Sequence, residues 1–376
     1  MDVITNIYRK LVKYDGRWSR SLGLYNPYAD PYRTIFTSNV HVFDKYAYEQ
    51  NPDYRYVYDK LWVANNQGLE SGTLEELLES RNVKKFPIFI KPRWGNKTSS
   101  SKNCYKINSY EDAEKYSHIK GMMWSSFIDG RESMTDYILV NGRVVYQITY
   151  MYSEEQIGFV EVWKYIDSKS KTSPKIDKWV RTHMSGYTGI VNIQSRDDFI
   201  IEVSLRPARG GSYLKSTRNE TLIKSINKLY ETGEWDVGTK KQLDFKPYYS
   251  FKCHTYLPVL YLLPQPVMTS ICRMYNARDF YEYYFEPAGN DGMVFYQLYH
   301  DDYDTGLQCK KSIERIFITA QLVYYFLFLL GFVLIFYNIR YSVIFFAFVL
   351  MTYITRFINP ININYSLWKV WRVKFG

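Results

Sequence analysis

The chain has 376 residues, with 48 Lys and Arg against 38 Asp and Glu, a formal charge of +10. Hydrophobic residues make up 46% and charged residues 23%, which excludes a disordered chain and one embedded in a membrane throughout; the length allows two or three domains. The 38 Tyr and 22 Phe follow no period, so no solenoid is expected.

Residues 1–55 are aromatic and basic, with turn signals at Asn26-Pro27, Asp30-Pro31 and Asn51-Pro52, and carry no readable chemistry. Asp2, Arg9 and Lys10 without an apolar run argue against a secretory signal, so folding in the cytosol is expected. From 56 to 235 helix and strand signals alternate. Thr73-Leu-Glu-Glu76 reads as a capping box opening a short helix with Leu74, Leu77 and Leu78 on one face. A strand follows at 86–91, and Ser109-Tyr-Glu-Asp112 caps a second helix. Strands at 135–140 and 143–151 flank Asn141-Gly142, the dipeptide of a type I′ hairpin turn. Further strands are expected at 157–165, 188–194 and 199–203, the last two joined by Ser195-Arg-Asp-Asp198. An amphipathic helix then carries Leu222, Ile223, Ile226, Leu229 and Tyr230 on one stripe. The fold class is α+β with mostly antiparallel sheets.

A C-terminal extension of the soluble part is expected over 236–315. Its stretch 247–275 is apolar but broken by Pro258, Pro264 and Pro266, so it cannot cross a membrane as a helix. Asp301-Asp302-Tyr303-Asp304 lacks the glycine and distal glutamate of a calcium loop and reads as a turn. The 22 residues 316–337 carry no charge and, at ~1.5 Å per residue, reach about 33 Å, enough for a transmembrane helix. A shorter apolar stretch, 341–355, follows Asn338-Ile339-Arg340, giving a transmembrane hairpin over 316–356 and a basic tail over 357–376. Lys310, Lys311 and Arg315 precede it, and Arg356, Lys369, Arg372 and Lys374 follow. The positive-inside rule therefore places both ends, and the soluble domain, on the cytosolic side of a multi-pass membrane protein.

Cys104, Cys253, Cys272 and Cys309 are far apart in sequence, and the five histidines show no ligand spacing near them; reduced thiols are expected. Lys84, Lys85, Lys97 and Lys102 lack an aromatic platform and read as solvated surface, so no nucleic acid partner is expected. His183 near Arg181 reads as structural rather than as an acid–base group.

Polar groups concentrate where strands should be apolar. Asn192 and Gln194 share one strand face, and Glu202, Ser204 and Arg206 share another at spacing two. An acid, an amide and a hydroxyl on neighbouring strands, with a guanidinium beyond, suit a hard divalent cation bridging phosphate oxygens; a solvated sheet face with an ion pair is the alternative.

Four motifs in order, Pro87-Ile-Phe-Ile-Lys91-Pro92, Phe127-Ile-Asp-Gly130-Arg-Glu132-Ser-Met-Thr-Asp136, Tyr187-Thr-Gly-Ile-Val-Asn-Ile-Gln194 and Ile201-Glu202-Val-Ser-Leu-Arg206-Pro-Ala-Arg209, resemble those of the ATP-grasp superfamily over residues 56–235. The last pair is most similar to carbamoyl phosphate synthetase and the carboxylate-amine ligases. The resemblance implies two antiparallel-sheet subdomains clamping ATP, with Mg²⁺ on its phosphates, and a carboxylate activated as an acyl phosphate that an amine attacks. It implies that Lys60 and Lys91 neutralise phosphate charge and that Glu132 lies near the nucleotide. It also implies Gln194, Glu202 and Ser204 as metal ligands and Arg206 and Arg209 as catalytic arginines. Ser204 stands where relatives usually have Asn, Ser126 where they have an acid, and residues 93–102 are poorer in glycine. The expected function is a membrane-anchored ligase acting on an unidentified carboxylate and amine; the alternative is a degenerate nucleotide-binding or scaffolding protein without turnover.

Overall fold

A computed structural model describes residues 36–41, 43–83, 85–97, 103–152, 162–166, 173–208, 219–236, 248–255, 263, 265–280 and 293–355. Most of the N-terminal region, the loop at 98–102, Arg209, the start of the strand expected at 157–165, Pro258, Pro264 and the tail lie outside them. The chain divides into two units, one of Tyr32–Glu155 and Trp163–Pro247, the other of Met1–Pro31, Gln156–Val162 and Tyr248–Gly376.

In the first unit, helix α1 (Asp44–Gln50) and a 3-10 turn (Pro52–Tyr58) lead to α2 (Lys60–Asn65). Strand β1 (Ser71–Thr73) runs into α3 (Leu74–Ser80), which opens on the expected capping box: Glu76 N–H donates to Thr73 Oγ1 at 3.2 Å, and Thr73 N–H to Glu76 Oε2 at 2.8 Å. Strands β2 (Ile88–Pro92) and β3 (Tyr105–Ile107), helix α4 (Tyr110–Glu114) capped by Ser109, and strand β4 (Met122–Ser126) complete a small antiparallel sheet in the order β1-β4-β2-β3. The apolar sides of α3 and α4 cover it through Leu74, Leu77 and Ala113 on Ile88, Ile90 and Trp124.

The larger sheet of this unit begins with β5 (Glu132–Val140) and β6 (Arg143–Tyr152). Both turn residues between them have positive φ, 48° at Asn141 and 77° at Gly142, as a type I′ turn demands. Strand β7 (Val162–Ile166), helix α5 (Pro174–His183), β8 (Gly189–Arg196), β9 (Phe199–Ser204) and α6 (Glu220–Thr232) follow. The strand order is β7-β6-β5-β8-β9, every pair antiparallel. Register then fixes the faces. Tyr137, Leu139, Val191, Ile193 and Val203 pack against Ile176, Trp179 and Val180 of α5, leaving Met134, Asp136, Asn192, Gln194, Glu202 and Ser204 on the opposite face.

In the second unit, β10 (Tyr248–Thr255), α7 (Gln265–Met274), β11 (Arg278–Phe280) and β12 (Met293–His300) precede two long apolar helices, α8 (Tyr303–Tyr337) and α9 (Ile339–Thr355). The strands pair antiparallel in the order β11-β12-β10. The proline-broken stretch contributes Met268, Ile271 and Cys272 of α7 to the core of this unit. There Cys253 and Cys309 are also buried, and Phe295 stacks on Phe317 at 3.7 Å. Three cysteines far apart in sequence thus meet as free thiols in one apolar core.

Helix α8 is long and apolar enough to cross a membrane. Its start belongs to the core through Cys309, Ile313 and Phe317, and further along it exposes Leu322, Val323, Phe326, Leu329 and Phe336. Only Asn338 separates it from α9, which returns antiparallel. A Cβ on Gly331 would fall 2.8 Å from Phe345, and Phe346 packs on both Phe328 and Phe332. Ser342 Oγ donates to the Gly331 carbonyl at 2.9 Å. A small residue at the crossing, with a hydroxyl on its carbonyl, lets the two helices approach closely.

Candidate nucleotide site

The first unit brings basic groups from its small sheet against polar groups on its large one. Asp59 fixes the start. Its carboxylate accepts from Leu61 N–H at 3.0 Å, capping α2, and takes a two-pronged contact from Arg93, Nε at 2.8 Å and Nη2 at 2.5 Å. Lys60 N–H donates to the Arg93 carbonyl at 3.0 Å, so the first residue of α2 is stitched to the segment leaving β2. Gln67 holds the other side through both the N–H and the C=O of Ile200.

This framework makes Lys60 and Lys91 converge. Lys60 Nζ lies 3.4 Å from Glu202 Oε2, its side chain 7% exposed. Lys91 reaches from β2 to the Ile201 carbonyl of β9, donating at 2.8 Å, and is 9% exposed. Burial, then the neighbouring Lys60, lowers the Lys91 amine to about 8, against a smaller opposing pull from Glu202. Cys104 feels both ammonium groups and Glu202, though burial is the larger influence and pushes its thiol up. Gly95 closes over the cluster, where a Cβ would stand 3.3 Å from Glu202 Oε1 and 3.6 Å from Lys60 Cε.

Beside this cluster, Glu132 accepts from Gln194 Nε2 and is gripped by Arg196, Nη2 at 3.0 Å and Nε at 3.2 Å. Glu132 is thereby neutralised. Lys60 is left with the Glu202 carboxylate and Lys91 with a backbone carbonyl, so two buried ammonium groups lie side by side where a further anion would be favoured. Gln194 and Glu202 are cross-strand partners, and Ser204 pairs with Asn192 one step deeper. Deeper still, Asp136 is fully buried and accepts from Asn192 Nδ2 at 2.6 Å and from Ala208 N–H at 3.0 Å, pinning the chain just beyond Arg206. Arg206 itself forms an ion pair with Asp44 of α1 at 2.9 Å.

The structure therefore gathers Lys60, Lys91, Gln194, Glu202 and Ser204 on one side of the large sheet, sets Glu132 next to them, and turns Arg206 toward α1. Arg209 lies outside the described residues. Among the described residues no group of three or more His, Cys, Asp or Glu could hold a metal. The oxygen set suits one hard cation, with the Glu202 carboxylate, the Gln194 amide and the Ser204 hydroxyl on one face and the absent Cβ of Gly95 leaving room beside Glu202. The roles of Arg93 and Arg196, and the pinning role of Asp136, are not among the sequence expectations. Arg196 stands at spacing two from Gln194, a signal that could have found it. His183, packed edge-on against Trp62, fits its structural reading.

No protein-family model matches the chain, and no curated protein matches it. Among solved structures it is similar to carboxyaminoimidazole ribonucleotide synthase from Aspergillus clavatus complexed with ATP. That likeness has 12% identity over 73% of this chain and 80% of that one, with a TM-score of 0.51. It is also similar to L-amino acid ligase from Bacillus licheniformis, 14% identical over 70% of this chain and 71% of that one, with a TM-score of 0.47. The first likeness is one of fold alone, the ATP-grasp fold.

Proposed function

We propose that the chain is a membrane-anchored ATP-dependent ligase joining a carboxylate to an amine. The observation that carries the reading is the convergence of Lys60 and Lys91, both buried, on the single carboxylate Glu202 between two antiparallel sheets. Two buried ammonium groups are costly without an anionic partner, and a triphosphate of about four negative charges is such a partner. Lys60 and Lys91 would hold the phosphates, and Glu132, already fixed by Gln194 and Arg196, would border the nucleotide. Glu202, Gln194 and Ser204 would hold Mg²⁺, which supplies charge neutralisation to the transferring phosphoryl group. Arg206 is oriented by Asp44 and would stabilise the transferring phosphoryl group, with Arg209 as the second catalytic arginine. The substrate carboxylate attacks the γ-phosphorus, ADP leaves, and the amine then displaces phosphate from the acyl phosphate.

Anchoring is part of the same reading. Helix α8 bears exposed Phe326, Leu330, Phe332 and Ile335 on more than one side, which a soluble core helix would bury. The hairpin then crosses the membrane twice with the nucleotide-binding unit in the cytosol, where ATP is available. The test is calorimetric titration of ATP with Mg²⁺ into the detergent-purified full chain, followed by a phosphate-release screen of carboxylates with and without amines. Binding with release dependent on both supports the ligase. A second reading, nucleotide binding without turnover, has its own support: Glu202 is the only carboxylate in the metal set, and Lys60 already engages it. Binding with no release under any pair would establish that one, and absence of binding would remove both.

A further inference from the structure

We propose that Asp44 and Asn96 form the subsite for the amine of the reaction, binding it as a protonated primary ammonium group. The inference rests on the ligase reading above and deepens it by naming the residues that select the second substrate and the charge they select. Its observation is a pair of buried acceptors without a donor. Among the described residues nothing donates to Oδ1 of Asp44, which is closed off from solvent, although Oδ2 of the same carboxylate holds Arg206 Nε at 2.9 Å. The amide oxygen of Asn96 is buried and unpartnered in the same way. An acceptor left buried without a donor costs about 1–3 kcal/mol, and more where it is charged, so a ligand that brings donors is favoured there.

Both residues stand at the Arg206 and Glu202 end of the site. Asn96 belongs to the 3-10 turn Gly95–Lys97, which packs against α1 and β9 and begins with the glycine that closes over Glu202. Asp44 is fixed from the other side. Tyr48 of α1 sits edge-on against Tyr58 at 5.5 Å, and Tyr58 Oη accepts from Leu205 N–H at 3.0 Å, next to Arg206. The side chains of Asp44 and Arg206 are 19% and 12% exposed, so the pair borders a site rather than open surface. A carboxylate oxygen beside an amide oxygen selects a donor, and a cationic one above all, because N⁺–H···O⁻ bonds are roughly twice as strong as neutral ones. Charge also sets the order of binding. By themselves Lys60, Lys91 and Arg206 outnumber Glu202 and Asp44, which disfavours another cation. ATP with Mg²⁺ and a substrate carboxylate reverse that sign, so the ammonium binds after the nucleotide. One carboxylate then serves both substrates, holding the arginine at the phosphoryl group with Oδ2 and the amine with Oδ1.

The probes are methylammonium and its uncharged counterpart methanol, whose dissociation constants from the detergent-purified full chain are measured by saturation-transfer NMR near pH 7. With Mg²⁺ and a non-hydrolysable ATP analogue present, methylammonium should bind about tenfold more tightly than methanol, and leaving out the analogue should weaken it at least threefold. Asp44→Asn keeps the shape and removes the charge, and should weaken methylammonium about tenfold. Asn96→Ala leaves the Asp44–Arg206 pair in place and should weaken it at least threefold, which decides the matter if the first variant does not fold. Methylammonium that binds no more tightly than methanol, or equally well with Asn96 replaced, overturns the amine subsite while nucleotide binding stands. Potassium displacing methylammonium at equal concentration marks a metal-cation site and overturns it as well. Failure of the analogue itself to bind overturns the ligase reading and the subsite together.

Discussion

Lys91 carries a cost that only its function explains. Its buried amine sits at about 8, against 10.5 for a free lysine. At ~1.4 kcal/mol per pH unit of displacement, holding it charged in the folded chain costs about 3 kcal/mol. Because the folded value lies below the unfolded one, the unfolded chain binds more protons between them. The penalty is therefore complete below pH ~8 and disappears as the pH rises toward about 10.5. Lys91→Met keeps the bulk and removes the charge, losing the hydrogen bond to the Ile201 carbonyl, worth ~1 kcal/mol. At pH 7 the variant should be about 2 kcal/mol more stable than wild type, and near pH 10.5 about 1 kcal/mol less stable. Urea unfolding followed by tryptophan fluorescence across that range measures the difference. The same variant should bind ATP at least tenfold more weakly, a loss of ~1.4 kcal/mol or more. A variant destabilised at pH 7, with a difference that does not change sign as pH rises, would refute the buried-charge argument.

Glu202→Gln should abolish phosphate release and, by leaving Lys60 buried without its carboxylate, lower stability by about 2–3 kcal/mol; unchanged turnover would remove Glu202 from the metal role. Ser204→Asn should tighten Mg²⁺ several-fold in a titration with ATP present if the site is weakened, and no change would mark it as abandoned. Asp59→Ala removes both the cap of α2 and the partner of Arg93, and should cost about 2–3 kcal/mol in chemical denaturation, with Asp59→Asn retaining roughly half. Gly130 has φ +120° and a Cβ there would fall 2.1 Å from Asp197 Oδ2, so Gly130→Ala should cost more than ~2 kcal/mol, and a neutral result would show that the turn relaxes freely. Tags at both chain ends should be cleaved by protease added outside cytosol-side-out vesicles; cleavage of one alone would contradict the returning helix.

Local signals read well in the sequence because local chemistry decides them. Thr73 and Glu76 form their reciprocal cap, and Ser109 caps α4. Asn141-Gly142 turns with the backbone that this dipeptide permits. Period two put Asn192 with Gln194 and Glu202 with Ser204, since alternation in a strand leaves no other arrangement, and the register that pairs Gln194 with Glu202 joined the two sets on one face. What the sequence did not reveal depends on contacts far apart in the chain. The Asp59–Arg93 and Asp44–Arg206 pairs join different elements, and the latter turns Arg206 toward α1. The thiols of Cys253, Cys272 and Cys309 meet only because three elements close one core. That the start of the apolar helix packs in a core was hidden for the same reason, since composition does not show which of its residues meet Phe295.

The most direct test of the account is a structure of the full chain with Mg²⁺ and a non-hydrolysable ATP analogue. The account predicts the triphosphate between Lys60 and Lys91, with the metal on Glu202 and the Lys60–Glu202 ion pair reorganised around it. Phosphates bound elsewhere, with that ion pair and the Lys91 contact to the Ile201 carbonyl unchanged, would contradict it.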